Sequence, residues 1–148
     1  MSKRIDSDEA VAWLYKAAIQ SLKLYACLLP IEIRNDSQCG IEIVATEAIP
    51  QCKVLCECDI FCILDGGMLN KYAAYIWHDR FIYTGLGMLL NNADNNHPAN
   101  CELQGNKIAT TRFINAGSSL RIDYGYSSNT YPPIPKEFLD IRKELLIP

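Results

Sequence analysis

From Ile31 to Asp123 the chain changes its pattern every few residues, and this limits its fold more than any other feature. "IEIRN" alternates apolar and polar residues, "DSQCG" reads as a turn, "IEIVATEAI" alternates again, "PQC" turns, and "KVLCECDIFCIL" follows. A period of two marks a strand with one buried face, and clusters of Asp, Ser, Asn and Gly mark the turns between strands. The last of these segments predicts one long strand with Cys56, Cys58, Ile60, Cys62 and Leu64 on a single face. "DGG" at 65–67 is a turn, and 68–78 fits a short helix. Further strands are expected at about 101–104, 107–112 and 120–123, with "NAGSS" turning into the last. Residues 81–90, aromatic and punctuated by glycine, match no single pattern.

Helical periodicity flanks this region on both sides. Over 7–28, Val11, Leu14, Tyr15, Ala18, Leu22 and Tyr25 fall on one stripe. Asp6 and Glu9 resemble a capping box, and Pro30 ends the helix. The prolines of the tail are followed from Pro135 by an amphipathic helix with Phe138, Leu139, Ile141, Leu145 and Leu146 on its apolar side. The sequence thus predicts a mainly β domain with N-terminal and C-terminal helical flanks, divided as 1–30, 31–131 and 132–148.

Composition excludes several classes of function. Of the 148 residues, 49% are hydrophobic and 21% charged, enough apolar material for a core. The net charge of -3 and the absence of a basic stripe argue against direct nucleic-acid binding and favour a basic partner. No apolar run is long enough for a membrane span, and the N-terminus lacks the apolar block of a secretory signal. Seven cysteines, an odd number, fit free thiols in an intracellular, reducing compartment.

"LLNNADNNHPANC" at 89–101 sets an asparagine-rich loop directly behind an apolar run. Asparagine suits turns and αL positions and bonds to nearby amides. A plain surface loop is one reading. Another emerges when this segment is taken with "CGIEIVATEAIPQCKVLCE" (39–57) and "KIATTRFINAGSSLRIDYGYSSNTY" (107–131). In order and spacing the three resemble the SET-domain protein lysine methyltransferases, as a minimal, divergent member lacking a cysteine-rich module after the last segment. Ala109, Arg112, Ile114, Gly117, Leu120, Asp123, Tyr124 and Gly125 match that family's third segment. Asn91, Pro98 and Asn100 match the second, and Gly40 and Ala45 the first. The departures are Glu42 and Cys52 at glycine positions, Asn92 for histidine, Ala93 for serine, and Ser118-Ser119 for an acidic pair.

The resemblance implies a β-clip, SET-like fold of several short sheets, with a pseudoknot where the asparagine segment crosses the segment around Tyr124. It implies S-adenosylmethionine as cofactor and methyl transfer to a lysine of a basic protein or peptide, with a histone tail as one such substrate and the nucleus as the place of action. It also allows a homodimer. On it, Tyr124 is the catalytic tyrosine. Tyr126 is a wall of the lysine channel if the chain stays extended, with Tyr83 and Tyr75 as further wall residues. Gly40, Ile41, Glu42, Asn91, Asn92 and Tyr131 are the cofactor-binding set. No metal is expected, because Cys56, Cys58 and Cys62 share a strand and cannot wrap an ion. His78 and His97 have no motif partner. Two other readings stay open: a degenerate SET fold acting as a binding module, and a small β domain of unrelated function. Each named tyrosine is also compatible with an ordinary core aromatic.

Overall fold

The structure, a computed structural model, describes residues 2–5, 10–25, 29–63, 81–124, 134 and 136–144. Three small sheets and three helices make up the described chain. β1 (Ser2–Ile5), β5 (Ile60–Ile63) and β6 (Phe81–Tyr83) form one sheet in the order β1-β5-β6. β2 (Ile31–Asp36) and β3 (Gly40–Ala45) form an antiparallel hairpin. The third sheet has the order β4-β9-β8-β10-β7. Its strands are β4 (Val54–Glu57), β7 (Asn91–Asn92), β8 (Cys101–Gln104), β9 (Lys107–Thr110) and β10 (Arg121–Ile122). The helices are α1 (Ala10–Tyr25), α2 (Leu86–Leu89) and α3 (Lys136–Glu144).

Alternation predicted the β2–β3 hairpin, and the pairing keeps it in register from Ile31↔Ala45 to Asp36↔Gly40. The turn is locked by the Asp36 carboxylate, which accepts from the backbone N–H of Gln38 (3.0 Å) and of Cys39 (2.7 Å). The stripe of α1 faces inward as its spacing requires: Val11, Leu14, Tyr15, Ala18, Ile19 and Leu22 are all buried. They join Ile41, Ile43, Leu86, Met88, Leu89, Leu90, Ile108 and Ile122 in one core.

Two elements differ from the sequence reading. "KVLCECDIFCIL" is not one strand. β4 pairs with β9 in the five-stranded sheet, whereas β5 pairs with β1 and β6 in the other. A bulge between Val54 and Cys56 breaks the period. At the junction the N–H of Cys58 bonds to Asn106 O (2.7 Å) and Asp59 O accepts from Thr84 N (2.9 Å), so the chain switches sheets there. The N-terminus also contributes a strand where only a helix was expected: β1 runs parallel to β5, Ser2 opposite Ile60 through Ile5 opposite Ile63. The expected helix at 68–78, the capping box at Asp6 and Glu9, and Tyr75, Tyr126, Tyr131 and His78 lie outside the described residues.

Cys52 stands where the resembled family has glycine, and its φ of 63° makes it the single non-glycine residue with positive φ among the described residues. Its N–H bonds to Thr110 O (3.0 Å), which holds the turn in place. A side chain in this region costs roughly 1–2 kcal/mol, and glycine gives part of that back as unfolded-chain entropy. Cys52→Gly is therefore expected to raise stability by about 0.5–1 kcal/mol. Chemical denaturation should read this as a higher midpoint at unchanged slope. A lower midpoint would contradict it.

Candidate functional site

β10 lies between β7 and β8 and runs parallel to both: Arg121↔Asn91 and Ile122↔Asn92 on one side, Ile122↔Cys101 on the other. The connection 93–100 therefore crosses over β10. Parallel neighbours ordinarily need a connection of a dozen or more residues, usually a helix. Here side chains replace the helix. Asn100, 7% exposed, donates from Nδ2 to Ser119 O (2.9 Å) and accepts at Oδ1 from Arg121 N (2.8 Å). Its own N–H bonds to Arg121 O (3.1 Å). Asp94 closes the outer part of the loop, accepting from the N–H groups of Asn96 and His97 (2.8 Å each) and pairing with His97 Nδ1 (3.0 Å). Burial opposes ionisation of Asp94, but these partners hold its carboxyl below the usual range.

The asparagines thus act through side-chain bonds between segments. The αL backbone that their chemistry also allowed is not used: no asparagine among the described residues has positive φ.

Tyr124 follows β10 and is tied twice to the segment Leu90–Asn92 beside it. Its hydroxyl donates to Leu90 O (2.6 Å), and its backbone N–H donates to Asn92 Oδ1 (2.9 Å). The ring is 4% exposed. Asn92, the departure from histidine, therefore anchors the backbone of the candidate catalytic residue. Asn91, 2% exposed, donates from Nδ2 to Ile41 O (2.8 Å). This joins the asparagine segment to β3. The first and third segments are strapped together as well, through Ala45 N to Ser118 O (2.9 Å), Gly117 N to Ala45 O (2.7 Å), Ile49 with Ile114, and Leu120 N to Ile43 O (2.8 Å). The three sequence segments meet around Ile41, Leu90–Asn92 and Tyr124.

Glu42 groups with Asp36, Ser119 and Arg121, and burial together with the neighbouring Asp36 raises its pKa. Gly40 is buried with φ 81°. Tyr83 is half-buried at the end of β6, on the three-stranded sheet.

Two buried arginines complete the site and were not anticipated. Arg121, 3% exposed, donates to Ser119 Oγ (2.9 Å) and Asn92 O (3.1 Å) and lies 3.8 Å from Asp94. Arg142 of α3, 2% exposed, donates to Asn91 Oδ1, to Ile41 O (3.3 Å) and to the Tyr15 hydroxyl (3.2 Å). Arg142 sits four residues after Phe138 and so on the apolar stripe of its helix; a charge in that position was the legible signal.

The Cys56–Cys58 hydrogen bond acts in opposite directions on its two thiols, lowering the pKa of Cys58. Burial pushes the Cys101 thiol up to about 12, and a hydrogen bond with Cys58 together with burial pushes Cys56 up. Among the described residues no group of three His, Cys, Asp or Glu side chains could hold a metal, and no helix is long and apolar enough to cross a membrane. A cavity of about 500 Å3 lined by Trp13, Leu14, Leu29, Cys56, Asp59 and Leu86, among others, shares no residue with the Ile41–Asn91–Tyr124 set.

The sequence is matched by no protein-family model and is similar to no curated protein. Solved structures do resemble the fold. A candidate histone methyltransferase of Plasmodium falciparum aligns with a TM-score of 0.53 at 18% identity, over 69% of this chain and 98% of its own. ATXR5, solved with histone H3.1 mono-methylated on R26, aligns with a TM-score of 0.45 at 16% identity, over 80% of this chain and 70% of its own. The fold is SET-like: mainly β, built of several short sheets with a crossing at β10.

Proposed function

We propose that the protein is an S-adenosylmethionine-dependent protein-lysine N-methyltransferase acting on a basic peptide such as a histone tail, and that it works in the nucleus. The observation that carries this is the double anchoring of Tyr124 to Leu90 and Asn92, inside a SET-like fold.

The residues present fit the cofactor's amino-acid end. Ile41 O and Asn91 Oδ1 are acceptors that converge on a cation, here the Arg142 guanidinium, as they would on an α-ammonium. Gly40, Ile41, Asn91 and Asn92 would hold this end, and Tyr131 is proposed for the adenine. The bound cofactor supplies an electrophilic methyl group on a sulfonium.

The chain's own residues supply position and environment. Tyr124 is fixed at its hydroxyl and at its backbone, and a phenolic oxygen can both donate and accept. It orients the attacking amine, or the methyl group it approaches. The apolar residues Met88, Leu89, Leu90 and Ile122 are buried and belong to the same core as Tyr124. A lysine drawn into such surroundings loses solvation, which lowers its pKa from about 10.4 and yields the neutral nucleophile. Tyr126, Tyr83 and Tyr75 are proposed for the channel wall.

A second reading, a binding module that has left catalysis, draws support from one feature: Arg142 occupies the two acceptors proposed for the ammonium. Cofactor binding tests the enzyme reading. At a concentration of about 100 Kd, S-adenosylmethionine adds about 2.7 kcal/mol of stability. This is a Tm increase of roughly 5–10 °C for a chain of this size. No shift and no heat of binding at millimolar cofactor would leave the binding module as the better reading.

A further inference from the structure

The C-terminal helix presses on the residues proposed for the cofactor. α3 sets Arg142 against Ile41 O and Asn91 Oδ1, while Phe138, 1% exposed, anchors the same helix in the core. Arg142 also lies over the Tyr15 ring, 5.6 Å from its centroid. Gly40 faces this helix directly: a Cβ built on it would come to 3.0 Å from Arg142 Cβ and 3.3 Å from Lys143 N. The glycine that lets a ligand approach β3 thus lets α3 approach it instead.

We propose that Arg142 is a built-in competitor for the cofactor, a guanidinium seated where the methionine ammonium of S-adenosylmethionine would bind, so that cofactor binding and the docked position of α3 exclude each other. This rests on the cofactor site proposed above. At two of its acceptors the exchange is balanced: one cation leaves Ile41 O and Asn91 Oδ1 and another takes them, while the Tyr15 hydroxyl gives up its bond from Arg142. α3 is suited to such a role. Nine residues are too few for a helix stable by itself in water, so it is ordered chiefly by docking. Its apolar stripe carries one charge, and that charge contacts the site.

A protein whose competent state is only a fraction of the population binds its ligand more weakly by that fraction. Removing the competitor should therefore tighten binding. S-adenosylhomocysteine carries the same ammonium and does not react, which makes it the probe. Titration calorimetry of the full chain is expected to give Arg142→Met a Kd at least about tenfold lower than wild type, because methionine keeps much of the apolar stem but removes the cation. Arg142→Lys, which keeps a cation, should stay nearer wild type. Hydrogen exchange on the wild-type chain gives an independent reading should the methionine variant fold poorly. Saturating S-adenosylhomocysteine should speed exchange of the amides of 138–144, whereas a merely structural helix would show equal or greater protection. Binding to wild type with α3 protection unchanged, or a weaker Kd for a folded Arg142→Met, would overturn the competitor and leave the enzyme reading standing. Failure of all three proteins to bind at millimolar probe would overturn the cofactor site itself, and the competitor with it.

Discussion

Tyr124→Phe is expected to lower kcat by about 100- to 1,000-fold, the range seen when one preorganised polar group is removed from a reacting centre. One oxygen is deleted and the ring keeps its volume, so packing of the buried side chain hardly changes. A structural effect is expected as well. The hydroxyl donates to Leu90 O at 2.6 Å, and losing that bond should cost about 1 kcal/mol. This lowers Tm by roughly 2–4 °C. The two effects differ in kind. If the hydroxyl serves only Leu90, the variant melts slightly earlier and turns over at the wild-type rate. If it positions the amine, turnover collapses while the Kd for S-adenosylhomocysteine stays within about twofold, because the contact matters most in the transition state. Equal kcat for both proteins would assign Tyr124 to the core alone.

Asn100→Ala is expected to cost the most stability of any single polar truncation in the crossing. The side chain serves Ser119 O and Arg121 N together, at the start of the strand that the 93–100 connection passes over. Alanine leaves the buried Arg121 N–H without this partner, at about 1–3 kcal/mol, and the part-buried Ser119 carbonyl at a smaller cost. A total of roughly 2–4 kcal/mol should lower Tm by about 5–12 °C. Asn100→Asp separates the two bonds, since a carboxylate still accepts from Arg121 N but cannot donate to Ser119 O; it should fall between alanine and wild type. A change below about 0.5 kcal/mol for the alanine variant would mean that the crossing is held by backbone pairing alone.

Much of this fold was legible because local chemistry and tertiary position agree. The β2–β3 hairpin alternates in sequence and buries Ile41 and Ile43 as alternation requires. The α1 stripe is likewise the face that packs. Legibility failed where a partner distant in sequence decides. Nothing in "SKRI" marks a strand, and β1 exists by its pairing with Ile60–Ile63. The strand over 53–64 looked continuous because its apolar pattern is continuous. Its division depends on a bulge and on Asn106 and Thr84, which meet it from other elements. At the site, the segments holding Asn91, Asn100 and Tyr124 could be picked out by their order along the chain. The bonds among them could not, because Asn92 to Tyr124 and Asn100 to Arg121 join residues that the sequence separates. Arg142 was hidden for the same reason: its partners lie on α1, β3 and β7, and only the position of a charge on an apolar stripe announced it.

Transfer of a labelled methyl group from S-adenosylmethionine to mixed core histones, with the acceptor mapped by mass spectrometry, tests the central claim most directly. Wild type should place label on the side-chain amine of lysine, Tyr124→Phe should place almost none, and Arg142→Met should reach its half-maximal rate at lower cofactor concentration. Label on no histone lysine by any of the three, under conditions where S-adenosylhomocysteine is shown to bind, would contradict the claim that this SET-like domain is a protein-lysine methyltransferase acting on histone.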